Sequence, residues 1–105
     1  MNFYYVYILR CSDNSYYTGI TNNIERRLQE HIHGLDPKAY TFFRRPVELA
    51  YREIFNDVEQ AIAWEKQVKG WNRKKKEAII AGEWAVLPEL AAFKNSTRLA
   101  PKKPE

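Results

Sequence analysis

Glu65 stands where a helix is expected to be apolar. Hydrophobic periodicity predicts a helix from Asp57 to about Lys69, with an apolar stripe of four residues: Val58, Ala61, Trp64 and Val68. At about 100° per residue, Glu65 projects from the middle of that stripe. A carboxylate buried there needs a cation, a hydrogen-bond network or an open cleft, because an unpaired buried charge is costly. Glu65 is therefore either a ligand for a hard cation such as Mg²⁺ or a carboxylate bonded to a buried Arg, Lys or Tyr.

Arg27 and His31 form a second group with chemical potential. They lie four residues apart on a predicted helix that begins at Asn22 or Asn23 and runs to about His33, so they share one side of it. Arg27 can offer a planar pair of donors to a phosphate, and His31 can exchange a proton near neutral pH. The alternative is an ordinary surface pair beside the helix's apolar stripe of Ile24, Leu28 and Ile32.

Tyr7 and Tyr17 are expected on one face of a β-hairpin. A three-residue turn ending at Asn14 would place Tyr7 opposite Gly19 and Leu9 opposite Tyr17, which makes the two phenols diagonal neighbours. Gly19 would leave room beside the ring of Tyr7. A phenol can serve as a base where a nearby cation lowers its pKa from about 10. Core packing is the other role open to these tyrosines.

Positive charge is concentrated in one short segment. Five basic residues fall within eight positions that contain no acid: Lys69, Arg73, Lys74, Lys75 and Lys76. Most of them open a predicted helix that Asn72 can cap and Gly82 ends, where positive charge opposes the helix dipole. A nucleic-acid backbone nearby would relieve that repulsion, whereas a solvated helix start is the alternative. Trp71 beside the cluster can either stack on a base or pack in the core.

The overall composition excludes several classes of protein. A chain of 105 residues with 45% hydrophobic and 14% aromatic residues can close one small core. The longest apolar run has seven residues, far below the ~20 of a membrane helix. Cys11 is the single cysteine, which excludes an internal disulfide and a multi-cysteine zinc site. We therefore expect a protein of the reducing cytoplasm, without a secretory signal or a membrane span.

The net charge of +4 belongs mostly to the end of the chain. Residues 94–105 carry four basic residues and one acidic residue, which leaves 13 basic and 12 acidic residues in positions 1–93. That terminal segment is interrupted by prolines and poor in apolar residues. We expect a folded domain over residues 1–93 and a mobile basic tail over residues 94–105, with any electrostatic site local to the domain.

The order of the predicted elements indicates an α+β fold. An apolar strand over residues 3–9 and its hairpin partner over 16–21 precede the first helix, and an irregular connection leads to a half-exposed strand beginning at Val47. There Val47, Leu49 and Tyr51 alternate with polar or small residues. Two helices follow, and residues 88–93 are compatible with one more helical turn. The order β-β-α-β-α-α predicts a small three-stranded, mainly antiparallel sheet flanked by helices.

Together these residues resemble the GIY-YIG endonuclease family over about Phe3 to Ala81. Tyr5-Val6-Tyr7 matches the first motif and Tyr17-Thr18-Gly19 the second, and the family's arginine, histidine and glutamate correspond to Arg27, His31 and Glu65. The chain is most similar to small stand-alone members and to the N-terminal nuclease domain of the excision-repair excinuclease. It departs from the motifs at Tyr5 and Thr18, and Asn72 lies closer to Glu65 than the family's asparagine does.

The resemblance implies metal-dependent hydrolysis of phosphodiester bonds in DNA. Glu65 would hold Mg²⁺ or Mn²⁺, Tyr7 would deprotonate or orient water, and His31 would receive the proton. Arg27 would bind the phosphate and Tyr17 would help position it, while four basic residues would follow the backbone: Lys69, Arg73, Lys74 and Lys75. Such contacts imply structure-selective or nonspecific cleavage in DNA repair or recombination. The alternative is a nucleic-acid-binding or protein-docking module without turnover.

Overall fold

The computed structural model describes residues 2–83 of the chain. Its elements are β1 (Tyr4–Arg10), β2 (Tyr16–Thr21), α1 (Ile24–Ile32), a short 3₁₀ helix (Phe42–Arg44), β3 (Glu48–Phe55), α2 (Val58–Lys69) and α3 (Arg73–Ile80). The predicted order β-β-α-β-α-α and the α+β class are confirmed. The helical turn expected at residues 88–93 and the tail expected at 94–105 lie outside the described residues.

The three strands form one antiparallel sheet in the order β2-β1-β3, with β1 in the centre. The predicted hairpin register is confirmed, because Tyr7 pairs with Gly19 and Leu9 pairs with Tyr17. Asn14 adopts the left-handed backbone conformation expected at the end of the turn, with φ of 67°. Tyr7 and Tyr17 therefore project from the same face of the sheet.

Each face of the sheet has its own hydrophobic core. On the α2 face, which bears Val6 and Ile8, the core also contains Phe55, Ala61, Trp64, Val68, Trp71 and Ile79. On the α1 face, which bears Tyr7 and Leu9, the core contains Cys11, Ile24 and Val47, with Leu28 packed against it. Because successive residues of a strand point to opposite faces, the doubly apolar sequence of β1 suits its position between two layers.

A β-bulge changes the expected pattern of β3. Ile8 pairs with Tyr51 and Leu9 pairs with Leu49, so Ala50 is an extra residue on β3. The simple alternation predicted for Val47, Leu49 and Tyr51 is therefore wrong: Tyr51 follows Ile8 to the α2 face, while Leu49 remains opposite Leu9. Periodicity alone does not reveal the bulge, because the inserted residue is an inconspicuous alanine.

The helix ends follow the capping residues read from the sequence. Asn23 accepts a hydrogen bond from the backbone N–H of Arg26 at 3.0 Å, and Asn72 accepts one from that of Lys75 at 2.9 Å. Gly82, with φ of 80°, follows the last turn of α3. These caps fix where α1 begins beside the sheet, and with it the direction of the side chains at Arg27 and His31.

Candidate functional site

Tyr7, Tyr17 and His31 meet on the α1 face of the sheet. The hydroxyl oxygen of Tyr7 lies 3.2 Å from Nε2 of His31. The ring centroids of Tyr17 and His31 are 5.2 Å apart, and those of Tyr7 and Tyr17 are 6.3 Å apart. Three residues that were predicted separately from two strands and a helix thus form one contiguous cluster.

Gly19 makes the position of Tyr7 possible. A β-carbon added at Gly19 would lie 2.5 Å from Cζ of Tyr7 and 3.0 Å from its Cε1. Carbon atoms in contact normally lie about 3.5–4.0 Å apart, so any side chain at this position would displace the ring. The predicted role of Gly19 as the space beside Tyr7 matches this close approach.

Arg27 lies at the edge of the cluster with its guanidinium half-buried. Its Nε donates to Glu30 Oε1 at 3.0 Å, which fixes the plane of the side chain. The guanidinium also acts on Tyr7, where it opposes an increase in the pKa of the phenol. Arg27 is therefore part of the site rather than a free surface residue, and the nitrogens that Glu30 does not bind remain available to an anion.

Burial dominates the proton affinities of Tyr7 and His31. Burial raises the pKa of Tyr7 to about 12, and Tyr17 raises it further, despite the opposing effect of Arg27. The expectation that a nearby cation lowers the pKa of this phenol is therefore wrong. Burial, reinforced by the charge of Arg27, lowers the pKa of His31. At neutral pH the pair consists of a phenol and an uncharged imidazole that can accept a proton.

Thr41 completes the cluster and was not identified from the sequence. Its Oγ1 lies 2.7 Å from Nδ1 of His31, and the residue is only 1% exposed. Thr41 lies in the irregular connection between α1 and β3, where no periodic pattern marks a residue as buried. A cleft of about 350 Å³ opens beside this group, and its lining includes Tyr17, Arg27, Glu30, His31, Thr41 and Phe42.

Aromatic and cationic groups continue the cluster towards the surface. Tyr40 stacks on Tyr17 with a centroid separation of 5.9 Å and an interplanar angle of 21°. The guanidinium carbon of Arg44 lies 3.8 Å from the centroid of the Tyr40 ring. Arg44 in turn binds Asp13 at 3.1 Å. The connection between α1 and β3 is thereby attached to the β1–β2 turn.

Glu65 lies on α2, which packs on the other face of the sheet, against β1 and β2. Its side chain is 12% exposed, and its carboxylate binds Nζ of Lys69 at 3.1 Å. Among residues 2–83, its contacts do not join it to Tyr7, Tyr17, Arg27 or His31. The structure thus brings together four of the five predicted reactive residues and places the fifth apart.

The donor set around Glu65 suits only a sparse metal site. Within residues 2–83, no group of three or more His, Cys, Asp or Glu residues could hold a metal ion. Mg²⁺, however, commonly keeps several waters and takes one or two carboxylates, with substrate phosphates supplying the remaining oxygens. A single, largely buried carboxylate fits that chemistry, provided that Lys69 gives way to the cation.

The predicted basic cluster divides into two kinds of residue. Arg73 binds the backbone carbonyl of Asn14, pairs with Glu77 at 2.9 Å and lies 4.5 Å from the centroid of the Tyr16 ring. Lys74 is exposed on the same helix. Arg73 thus attaches α3 to the hairpin, which leaves Lys74 and its neighbours as the better candidates to contact a polyanion.

Trp71 and Asn72 have structural roles between α2 and α3. Trp71 is buried and meets Trp64 edge-on, with ring centroids 5.5 Å apart, which confirms its packing in the core. The side chain of Asn72 caps α3 through Lys75. Asn72 is therefore occupied by a backbone N–H instead of being directed at the cluster around His31.

Glu53 is a second acidic residue, one that the sequence patterns did not single out. It lies on the α2 face, where burial raises its pKa to about 7. The hydroxyl of Tyr51 donates to Glu53 Oε1 at 3.3 Å and accepts from Nε1 of Trp64 at 3.2 Å. The bulge at Ala50 explains the omission, because an uninterrupted alternation would have grouped Glu53 with Val47 and Leu49.

Comparisons with known proteins agree with this geometry. The model described as the GIY-YIG catalytic domain matches residues 3–78. A UPF0213 protein of Natronomonas pharaonis is 45% identical over 80 residues, which cover 76% of this chain and 93% of that protein. One from Bacillus pumilus is 46% identical over 77 residues, covering 73% and 78% of the two chains. Within residues 2–83, no helix is long and apolar enough to cross a membrane.

Two solved structures share the fold. The solution NMR structure of a UPF0213 protein from Bacillus halodurans is 38% identical, with a TM-score of 0.51 and coverage of 90% of this chain and 98% of that one. The solution NMR structure of an E. faecalis protein is 37% identical, with a TM-score of 0.56 and coverage of 77% and 85%. The domain match, the relatives and these two structures identify the chain as a member of the GIY-YIG family, a family of nucleases.

Proposed function

We propose that this protein is a metal-dependent endonuclease that hydrolyses phosphodiester bonds in DNA. The observation that carries the proposal is the hydrogen-bonded pair of Tyr7 and His31, with Arg27 beside it at the edge of a cleft. A nucleophile-activating pair next to a phosphate-binding guanidinium is what such a hydrolysis requires. Membership of a nuclease family supports the same conclusion.

Tyr7 and His31 would activate the attacking water together. With a pKa of about 12, Tyr7 holds its proton at neutral pH, so it acts as a base only if His31 accepts that proton at Nε2. The lowered pKa of His31 keeps the imidazole uncharged and ready to do so. Tyr17, whose ring packs against His31, would orient the water or the phosphate.

Arg27 would bind the phosphate as negative charge accumulates. Glu30 holds its Nε, so the remaining nitrogens can donate to two phosphate oxygens without a large change in side-chain conformation. Glu65 would hold Mg²⁺ or Mn²⁺, which supplies Lewis-acid stabilisation of the leaving oxygen. Since β2 is an edge strand with Tyr17 on one face and α2 packed on the other, the DNA backbone would cross this edge.

Substrate selection would rest on backbone contacts. Lys69, Lys74 and Lys75 would contact phosphates, and such contacts position DNA without reading its sequence. Cleavage would accordingly be structure-selective or nonspecific, as expected for an enzyme of DNA repair or recombination. Weaker binding on replacing Lys74 and Lys75, with a shallower salt dependence, would support this placement.

The experiment is cleavage of labelled branched, single-stranded and duplex DNA with Mg²⁺, Mn²⁺ or EDTA. Tyr7→Phe and Glu65→Gln should abolish cleavage and retain binding. Tyr5→Phe is the matched control for the phenol, since Tyr5 packs at the same core outside the hydrogen bond with His31. Glu59→Gln is the control for the carboxylate, because Glu59 is exposed on the same helix. Equal loss of activity in a variant and its control would contradict the assigned roles.

One observation favours a binding module without turnover. The side chain of Asn72 is occupied in capping α3, so it does not stand in for the asparagine that other members of the family carry after the glutamate. If the wild-type protein binds DNA but cuts no substrate with any metal, this alternative is correct and the endonuclease proposal fails.

A further inference from the structure

We propose that Thr41 is a positioning residue that holds His31 in the tautomer protonated at Nδ1, so that Nε2 is free to accept the proton of Tyr7. The tautomer is a property of the folded protein. Its consequence for cleavage rests on the proposed endonuclease function.

The geometry around His31 occupies both ring nitrogens. Nδ1 lies 2.7 Å from Oγ1 of Thr41, and Nε2 lies 3.2 Å from the hydroxyl oxygen of Tyr7. His31 and both its partners are buried. A neutral imidazole has one N–H and one acceptor nitrogen, so the two hydroxyls must play opposite roles.

Tyr7 is the better donor of the two hydroxyls. A phenol is far more acidic than an aliphatic alcohol, and an alcohol oxygen is the better acceptor. Arg27, a donor without acceptor capacity, also interacts with the Tyr7 oxygen and lowers the proton affinity of the phenol. The favourable arrangement is therefore donation from Arg27 to Tyr7, from Tyr7 to Nε2, and from Nδ1–H to Thr41. In the reverse tautomer, the Tyr7 oxygen would accept two bonds while its own proton lost the acceptor at Nε2.

The backbone around Thr41 is attached on both sides. The Thr41 carbonyl accepts from the N–H of Arg44 at 3.0 Å, and the Arg44 carbonyl accepts from the N–H of Ser12 at 2.9 Å. Tyr40, the preceding residue, stacks on Tyr17. A buried hydroxyl held this firmly can select one orientation and one tautomer of the imidazole it binds.

The direct test is nitrogen-15 NMR of the histidine ring. The chain has two histidines, and His33→Gln leaves only His31 to observe. In that background we expect resonances of a neutral ring protonated at Nδ1. Thr41→Val keeps the side-chain shape and removes the hydroxyl, and should shift the population towards protonation at Nε2. Thr41→Ser should restore the signals of the parent protein.

The kinetic test uses the same substitutions in the otherwise unmodified chain. Thr41→Val should lower kcat about 10- to 100-fold, the range for partners that orient a functional imidazole, with little change in KM. Thr41→Ser should recover most of kcat. Circular dichroism and thermal unfolding confirm that each variant is folded.

Two results would overturn the proposal. One is a wild-type ring protonated at Nε2, and the other is a Thr41→Val ring whose tautomer is unchanged. Equal loss of kcat in Thr41→Val and Thr41→Ser would also contradict it, because the hydroxyl would then have no specific role. If the wild-type protein cuts no DNA, the proposed function fails while the NMR result still decides the tautomer.

Discussion

Gly19→Ala should displace Tyr7 and destabilise the whole domain. The added carbon would lie 2.5 Å from Cζ of Tyr7, whereas carbon contacts settle at about 3.5–4.0 Å, so the ring must move by about 1 Å. Tyr7 is 1% exposed, so the movement disturbs a packed core. Overpacking of this kind costs about 1–3 kcal/mol, and the lost hydrogen bond to His31 adds about 1 kcal/mol. The expected loss of about 2–4 kcal/mol corresponds to a decrease in Tm of about 8–30 °C.

Urea unfolding followed by circular dichroism measures this change. Gly70→Ala is the matched control, because its β-carbon would lie 3.6 Å and 3.7 Å from two backbone carbonyl oxygens, which is ordinary contact. Gly70 also has a right-handed conformation, so the control should be neutral or stabilise by up to about 1 kcal/mol. In the cleavage assay, Gly19→Ala should add little to the defect of Tyr7→Phe, since both separate the phenol from His31.

Unfolding of Gly19→Ala at the same urea concentration as Gly70→Ala would refute this prediction. The Tyr7 ring would then not lie against Gly19, and the hydrogen bond to His31 would need another explanation. Additive losses of activity in the double variant would likewise show that Gly19 acts independently of Tyr7.

Three further predictions concern Glu53, the basic helix and Cys11. Because burial raises the pKa of Glu53 above its unfolded value, folding loses stability as pH rises from about 4.5 to about 7; Glu53→Gln should therefore raise Tm at pH 8 and leave it unchanged at pH 4. Arg73→Ala should lower the free energy of unfolding by about 1–2 kcal/mol through the lost bond to Asn14, whereas Lys74→Ala should change it by less than about 0.5 kcal/mol and instead weaken DNA binding; equal effects on stability would refute the division. Burial raises the pKa of Cys11, so iodoacetamide should label it only after denaturation, and rapid labelling of the native protein would contradict the described core.

Local patterns in the sequence were enough to predict the hairpin and the meeting of Tyr7 with Tyr17. Turn length and the left-handed conformation at Asn14 set the register, and register decides which residues share a face. The first helix was predicted from its cap and periodicity, although its buried edge differs in one detail. Ile32 is 38% exposed, whereas His31 is 7% exposed, because the end of α1 turns His31 towards Tyr7.

Contacts formed by irregular backbone were beyond such patterns. Thr41 reaches His31 because the connection between α1 and β3 folds back onto the β1–β2 turn, and no periodic signal encodes that path. The pKa of Tyr7 depends on how deeply the phenol is buried, which spacing along the chain does not reveal. Glu65 was correctly singled out as a carboxylate within a largely buried surface, and only the structure identifies Lys69 as its partner.

The bulge in β3 also affects how the domain unfolds. Leu49 faces Leu9 on one side of the sheet, and Tyr51 faces Ile8 on the other, so one strand supports both hydrophobic layers. Loss of either layer would remove packing from the strand that the other layer needs. The α1 layer with its histidine and the α2 layer with its tryptophans are therefore bound into a single cooperative unit, in which the reactive cluster opens only when the whole domain does.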